Sequence, residues 1–168
     1  KDMEINVWDQ IIAFEGRMHE FIKAAYDYQD NTFHSHPGYY IDYFEMRLAQ
    51  LQVLHNLHYE IKKIRKMPKQ ALVIADYIMY MADYVVEMNI PDQQIKKLEE
   101  ISEQMKQEEL PKTREEFEGR ALLYHILMDL EEFLVYKKRF VNGLDEKKLR
   151  IYWKQEMEQK DSANELQK

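Results

Sequence analysis

The stretch TREEFEGRALLYHILMDLEEFL, Thr113 to Leu134, decides the fold class. Leu122, Leu123, Ile126, Leu127, Leu130, Phe133 and Leu134 recur at steps of three and four, which puts them on one side of an α-helix. The opening, Thr113-Arg114-Glu115-Glu116, has the spacing of a capping box, in which the Thr hydroxyl and the Glu carboxylate each satisfy a free backbone N–H. The pattern predicts a helix from Thr113 to about Val141, with Asn142-Gly143 as its C-cap signal. No other segment has so wide an apolar surface, so this helix is expected at the centre of the fold.

Working outward, Glu108 to Lys112 reads as a loop. Before it, Ile95, Leu98, Ile101 and Met105 predict a shorter helix over about Asp92 to Gln107, with Asp92 as its N-cap. A further helix is expected from about Lys69 to Asn89, on Ala71, Ile74, Tyr77, Ile78, Met81, Tyr84, Val85 and Met88. The helix before that should run from Tyr39 to about Lys66, with Phe44, Leu48, Leu51, Leu54, Ile61 and Ile64 inward. Pro68 closes it, because the residue preceding a proline avoids the α region. Val7, Ile11, Phe14, Met18, Phe21, Ala25 and Tyr28 mark a first helix over residues 4–30, broken by Pro37-Gly38. Asp145 to Glu158 fits a short last helix around Leu149 and Trp153, and the polar tail from Gln159 is expected to be disordered. The expected architecture is all-α: an antiparallel bundle of four to five main helices with short connections. Residues 1–142 are expected to form the bundle and 143–168 a C-terminal extension, partly helical and then disordered.

Composition agrees. The chain has 168 residues, room for one ordinary domain. Only four Gly and four Pro occur, which argues against turn-rich sheet proteins. The absence of Cys excludes disulfide scaffolds, thiol catalysis and Cys-based metal sites. A net charge of −7 argues against a whole-surface attraction to nucleic acid or to an anionic membrane, leaving only local basic patches, and no nucleic-acid partner is expected. No apolar run reaches the length of a membrane span, and no signal peptide is recognisable. The opening on Lys1 rather than Met leads us to expect a fragment of a longer polypeptide.

Reactive motifs are scarce. No His has a Glu three residues before it, as a di-iron bundle needs, and no His-Glu-x-x-His occurs. There is no nucleophile elbow and no phosphate-binding Gly-rich loop. Neither an enzyme nor a cofactor is expected. The 12 tyrosines are unusual, with Tyr39, Tyr40 and Tyr43 clustered and Tyr77, Tyr80 and Tyr84 stacked along one helix. They suit core edges and interfaces, since Tyr buries its ring and keeps its hydroxyl wet. They also suit a pocket for a flat ligand, in which Arg47 or Arg120 holds a carboxylate bidentately. The candidate ligand residues are Tyr40, Tyr43, Arg47, Arg120 and Tyr124, between the helix of 39–66 and that of 113–141; ordinary ion pairs with Glu45 and Glu116 explain the two arginines equally well. The ten Met residues read as adaptable core filler. Lys62, Lys63, Arg65, Lys66 and Lys69 form a basic run in an acidic chain. It reads as a solvated helix end or, if a membrane segment precedes Lys1, as a patch facing anionic lipid.

Two stretches carry a resemblance. Tyr39-Tyr40-Ile41-Asp42-Tyr43-Phe44-Glu45-Met46-Arg47, continuing through Gln50 and Leu54, is one; Leu110 to Tyr124, running on to Phe133-Leu134, is the more specific. Together, across about residues 5 to 140, they resemble the C-terminal domain of the putative aromatic acid exporter family of Firmicute-type bacteria. The resemblance implies a multi-helix membrane domain first and a helical domain after it, on the cytoplasmic face of the cell membrane. It implies no catalytic residues. The expected role is a non-catalytic accessory domain whose partners are the upstream membrane domain and further copies of itself. The alternatives are a sensor binding an aromatic carboxylate and a free-standing cytosolic adaptor.

Overall fold

The structure, a computed structural model, describes residues 37–64, 66, 68–144, 149 and 153, together with positions 9, 12, 13, 16, 17, 19, 20, 23, 24 and 27. Four helices are complete: α1 (Pro37–Ile61), α2 (Ala71–Ala82), α3 (Asp92–Lys106) and α4 (Arg114–Asn142). No strand occurs among the described residues, and the expected all-α bundle is what forms. The described positions between 9 and 27 are each helical. The rest of the first predicted helix and the tail from Gln159 lie outside the described residues.

Side-chain contacts fix the directions. Gln50 of α1 donates to the Phe133 carbonyl of α4 at 2.8 Å, and Pro68, just past the end of α1, touches Gly119 near the start of α4. Asp92 at the start of α3 pairs with Lys138 near the end of α4 at 2.7 Å. Gln70 before α2 donates to Glu108 after α3, while Tyr77 in α2 donates to the Gln94 carbonyl early in α3 at 2.7 Å. Each of these packed pairs is therefore antiparallel, the expected arrangement for the neighbours joined by short connections. Helix α4 packs on both α1 and α3, and α2 packs on α3, so the predicted central helix is central.

The main core draws on all four helices, through Leu54, Leu57, Ile74, Ile78, Leu98, Ile101, Ile126 and Leu130 among others. A second cluster at the end where α1 starts and α4 finishes joins Tyr39, Tyr43, Phe44, Met46, Phe140 and Val141 to Trp153. Trp153 reaches back across the bundle, and its indole Nε1 donates to the Tyr39 hydroxyl at 3.0 Å.

Several boundaries differ from expectation. Helix α1 stops at Ile61, not Lys66, and tightens into i→i+3 bonds from Lys63 to Glu60 at 3.0 Å and from Ile64 to Ile61 at 3.1 Å. The chain unwinds before Pro68, which constrains the residue ahead of it. Helix α2 ends at Ala82, not Asn89. In a continued helix the Val86 carbonyl would accept from the Ile90 N–H; here it accepts from Arg47 and Lys137 instead. Pro91, which has no N–H, removes the next bond. Tyr84 and Val85 thus belong to a turn, and Tyr84 is exposed. Leu48 is 48% exposed rather than inward, because Arg47 takes the inward position beside it.

The caps also show departures. Thr113 caps α4 as predicted, accepting from the Glu116 N–H at 3.1 Å. The Glu116 carboxylate accepts from the Lys112 N–H at 2.7 Å, and that bond above all holds its carboxyl below the ordinary Glu range. Asp92 is not the cap of α3: Pro91 occupies the cap position without a side-chain bond, and Asp92 is the first helical residue. Gly143 follows α4 in a right-handed conformation, with φ −76°, so the left-handed freedom usual at a helix end goes unused.

Candidate functional site

The two ends of the bundle differ in chemistry. At one end the α1–α2 turn meets the α3–α4 loop. Gly119 makes this meeting close: a Cβ built there would lie 2.9 Å from Pro68 Cγ and 3.5 Å from the Lys66 carbonyl. Replacing Gly119 by Val should therefore push the turn off α4. Overpacking of this kind costs about 1–3 kcal/mol, more than the fraction of a kcal/mol by which Val outranks Gly in a helix. Thermal unfolding followed by circular dichroism checks it; an unchanged or raised midpoint would show that the turn yields freely.

Between turn and loop lies a cleft of about 340 Å³, lined by Lys66, Lys69, Lys112 and Arg120, by Gln70, Pro68 and Leu110, and by the carboxylates Glu109 and Glu116. Lys112 pairs with Glu109 at 3.4 Å. Arg120 donates Nη1 to the Glu109 carbonyl. Among the described residues no carboxylate comes within 4.0 Å of the charged nitrogens of Lys66, Lys69 or Arg120. Leu110 stands at the rim, 84% exposed.

The opposite end holds a buried polar knot. Arg47 is 1% exposed and Lys137 4%. Arg47 donates Nε to the Tyr43 hydroxyl at 3.0 Å, Nη1 to Gln50 Oε1 at 2.8 Å and Nη2 to the Val86 carbonyl at 3.0 Å. Lys137 donates to the Val86 carbonyl at 2.9 Å and to the Glu87 carbonyl. Its ammonium lies 5.6 Å from the ring centres of Tyr43 and Trp153 and 5.9 Å from that of Phe140, a favourable place for a buried cation. Burial pushes the Tyr43 phenol up to about 12, against the pull of the Arg47 guanidinium. The space between Arg47, Gln50, Gln94 and Lys137 is only about 10 Å³. That is the room of about one water, so the knot is a filled joint and not a ligand chamber.

The proposed ligand residues do not converge. Tyr43 and Arg47 sit in the knot, Arg120 lines the cleft at the other end, and Tyr124 is half-buried against the main core. Nothing is described of the Tyr40 side chain. Arg120 falls instead among the basic run, next to Lys66 and Lys69, while Lys62 and Lys63 stand outside the cleft and Arg65 lies outside the described residues. Tyr77, Tyr80 and Tyr84 do touch in sequence, with ring centres 5.9 and 5.0 Å apart. No group of three metal-ligating side chains converges among the described residues. His125 Nδ1 lies 3.3 Å from Asp129 Oδ2, near enough for an ion pair but without a hydrogen bond.

The sequence reading does not single out Gln50, Gln94 and Lys137 as site residues, and it places Arg47 either in a ligand pocket or in an ion pair with Glu45, whereas its described partners here are Tyr43, Gln50 and the Val86 carbonyl. A signal was present. Positions 43, 47, 50, 54, 57 and 61 form one helical stripe, as do 94, 98, 101 and 105, and 123, 126, 130, 133, 137 and 140. Each buried polar residue lies on the apolar stripe of its own helix.

This fold, four antiparallel helices with a cationic cleft at one end and a saturated polar knot at the other, defines an all-α bundle domain. The chain belongs to the family described as the putative aromatic acid exporter C-terminal domain, which it matches over residues 2–138. It is 33% identical over 98 residues to the Bacillus subtilis (strain 168) protein named "Uncharacterized protein YqjA", a match covering 58% of this chain and 30% of that one. The match thus spans less than a third of the length of that relative. A crystal structure of a putative membrane protein from Clostridium difficile 630 superimposes with a TM-score of 0.60 over 83% of this chain and 93% of that one, at 23% identity. At that identity the likeness bears on the fold alone. Among the described residues no helix is long and apolar enough to cross a membrane.

Proposed function

We propose that this chain is a non-catalytic accessory domain of a membrane-embedded exporter, placed on the cytoplasmic side and acting by contact. A membrane domain of the same polypeptide precedes Lys1, and the lysine end of the bundle faces the bilayer. The observation that carries this reading is the gathering of Lys62, Lys66, Lys69 and Arg120 at one end of a chain whose net charge is −7, with Lys63 paired to Glu60 and Lys112 to Glu109, and with Glu108, Glu115 and Glu116 at the same end. A concentrated patch attracts an anionic leaflet where the whole surface would not. Family membership supports the exporter context, and the description as a C-terminal domain supports a preceding part.

The domain also associates with copies of itself. Phe117 is 61% exposed and Met128 66%, and with Ala121 they share the outer stripe of α4. Exposed aromatic and Met side chains on one face are typical of interfaces. Chromatography with light scattering over a concentration series should show the mass of the chain rising toward a multiple of 20.6 kDa. Met128→Glu should return it to a single chain. A constant mass of one chain at the highest concentration would rule out association by the domain itself.

A further inference from the structure

The geometry points to the cleft beside Gly119 as a pocket for the phosphate headgroup of an anionic phospholipid. This rests on the membrane-facing reading and assigns that end a specific ligand. Lys66 and Lys69 come from the α1–α2 turn, and Arg120 faces them from α4 across a space of about 340 Å³. That is within the range of small-molecule sites, which run from about 300 Å³ upward. Of the two carboxylates of the lining, one is ion-paired and the other is hydrogen-bonded but still charged. Glu116 accepts from the Lys112 N–H, and Glu109 pairs with Lys112 Nζ. Arg120 spends one N–H on a carbonyl; among the described residues no carboxylate pairs with it within 4.0 Å, although Glu116 lies near enough to feel its charge and that of Lys66, so the lining carries four cations against two carboxylates. Three cations around one opening, one of them a guanidinium fork, suit an oxyanion with several acceptor oxygens, such as a phosphate.

Leu110 selects the source of that phosphate. Its side chain is almost fully exposed at the rim of the same cleft. In water this is unfavourable, but at a bilayer an apolar side chain flanked by lysines reaches the acyl boundary while the cations stay among the headgroups. A soluble phosphate ester would leave Leu110 without a role. Lys62 and Lys63 stand at the same end but outside the cleft, and Lys63 is paired with Glu60 at 3.0 Å, so neither is placed to touch the headgroup.

Vesicle binding by the whole chain tests the assignment. Sedimentation with phosphatidylglycerol vesicles should carry the protein down at low salt, and phosphatidylcholine vesicles should not. Lys66→Ala with Lys69→Ala should weaken binding about 25-fold, at the usual worth of a lysine near an anionic surface. Leu110→Glu should also weaken it, Lys62→Ala with Lys63→Ala should have a smaller effect, and glycerol phosphate in excess should compete. Equal losses for the two lysine pairs, with no competition by glycerol phosphate, would overturn the pocket and leave a diffuse membrane-facing surface. Glycerol phosphate binding as tightly as vesicles would overturn the lipid source. No binding to phosphatidylglycerol vesicles would overturn both the pocket and the membrane-facing reading. Unchanged melting of the variants, all at exposed or half-exposed loop positions, separates binding loss from unfolding.

Discussion

Replacing Phe133 by Ala should remove about 3–5 kcal/mol of folding free energy, the usual cost of deleting a buried aromatic ring. Phe133 is almost wholly buried in the main core, on the central helix, near the level where the polar knot begins. Its backbone carbonyl accepts the Gln50 amide at 2.8 Å, which ties α4 to α1 at the same level. The cavity left by the ring lies between helices that are held by contacts on both sides, so collapse into it is restricted. A domain of this size is stable by only about 5–15 kcal/mol, and the variant forfeits a large part of that. Urea unfolding, read by its midpoint and slope, measures the change. A loss below about 1 kcal/mol would show that the α1–α4 seam repacks freely, and the tightly joined bundle described above would be wrong.

Arg47→Leu should cost about 2–4 kcal/mol, by leaving buried acceptors without donors. The substitution keeps the position apolar and of fair volume, so its cost comes mainly from the network. Gln50 Oε1 and the Tyr43 hydroxyl each lose a charged partner, and the Val86 carbonyl keeps only Lys137. The turn of residues 83–91 should become less protected, which amide hydrogen exchange reads directly. Arg47→Lys should fall between, since an ammonium keeps the charge but cannot reach three acceptors in the plane of a guanidinium. If Arg47→Leu melts as the parent does, the knot does not hold the turn.

Much of this was legible in the residues. The steps of three and four through Leu123, Ile126, Leu130 and Phe133 describe a buried face, and that face is what the structure buries. The Thr113 cap was readable because its chemistry is local: one hydroxyl and one N–H three residues on. What escaped was non-local. Tyr84, Val85 and Met88 keep a helical spacing, yet Val86 offers its carbonyl to Arg47, 39 residues earlier, and Lys137, 51 residues later. Nothing in the local pattern announces that competition. The candidate site divides in the same way. The basic run is visible as a run of letters, but its junction with Arg120 depends on a glycine that lets two distant segments touch. Arg47 lies on the buried stripe of its helix, but its acceptor at Val86 is 39 residues away, so its place on the stripe gives its burial and not its partner.

Arg47 and Ile61 are 14 residues apart on α1, and Arg120 and Lys137 are 17 apart on α4, so the cationic cleft and the Val86 knot stand roughly 20–25 Å apart, joined by two long staves that lie side by side. The staves are clamped near both tips, by Pro68 on Gly119 at one and by Arg47 and Lys137 on a shared carbonyl at the other. A push delivered at the lysine tip would travel as a tilt of the whole beam. Held together at two levels, the two staves move as one body, so their aromatic end keeps a fixed bearing on their lysine end.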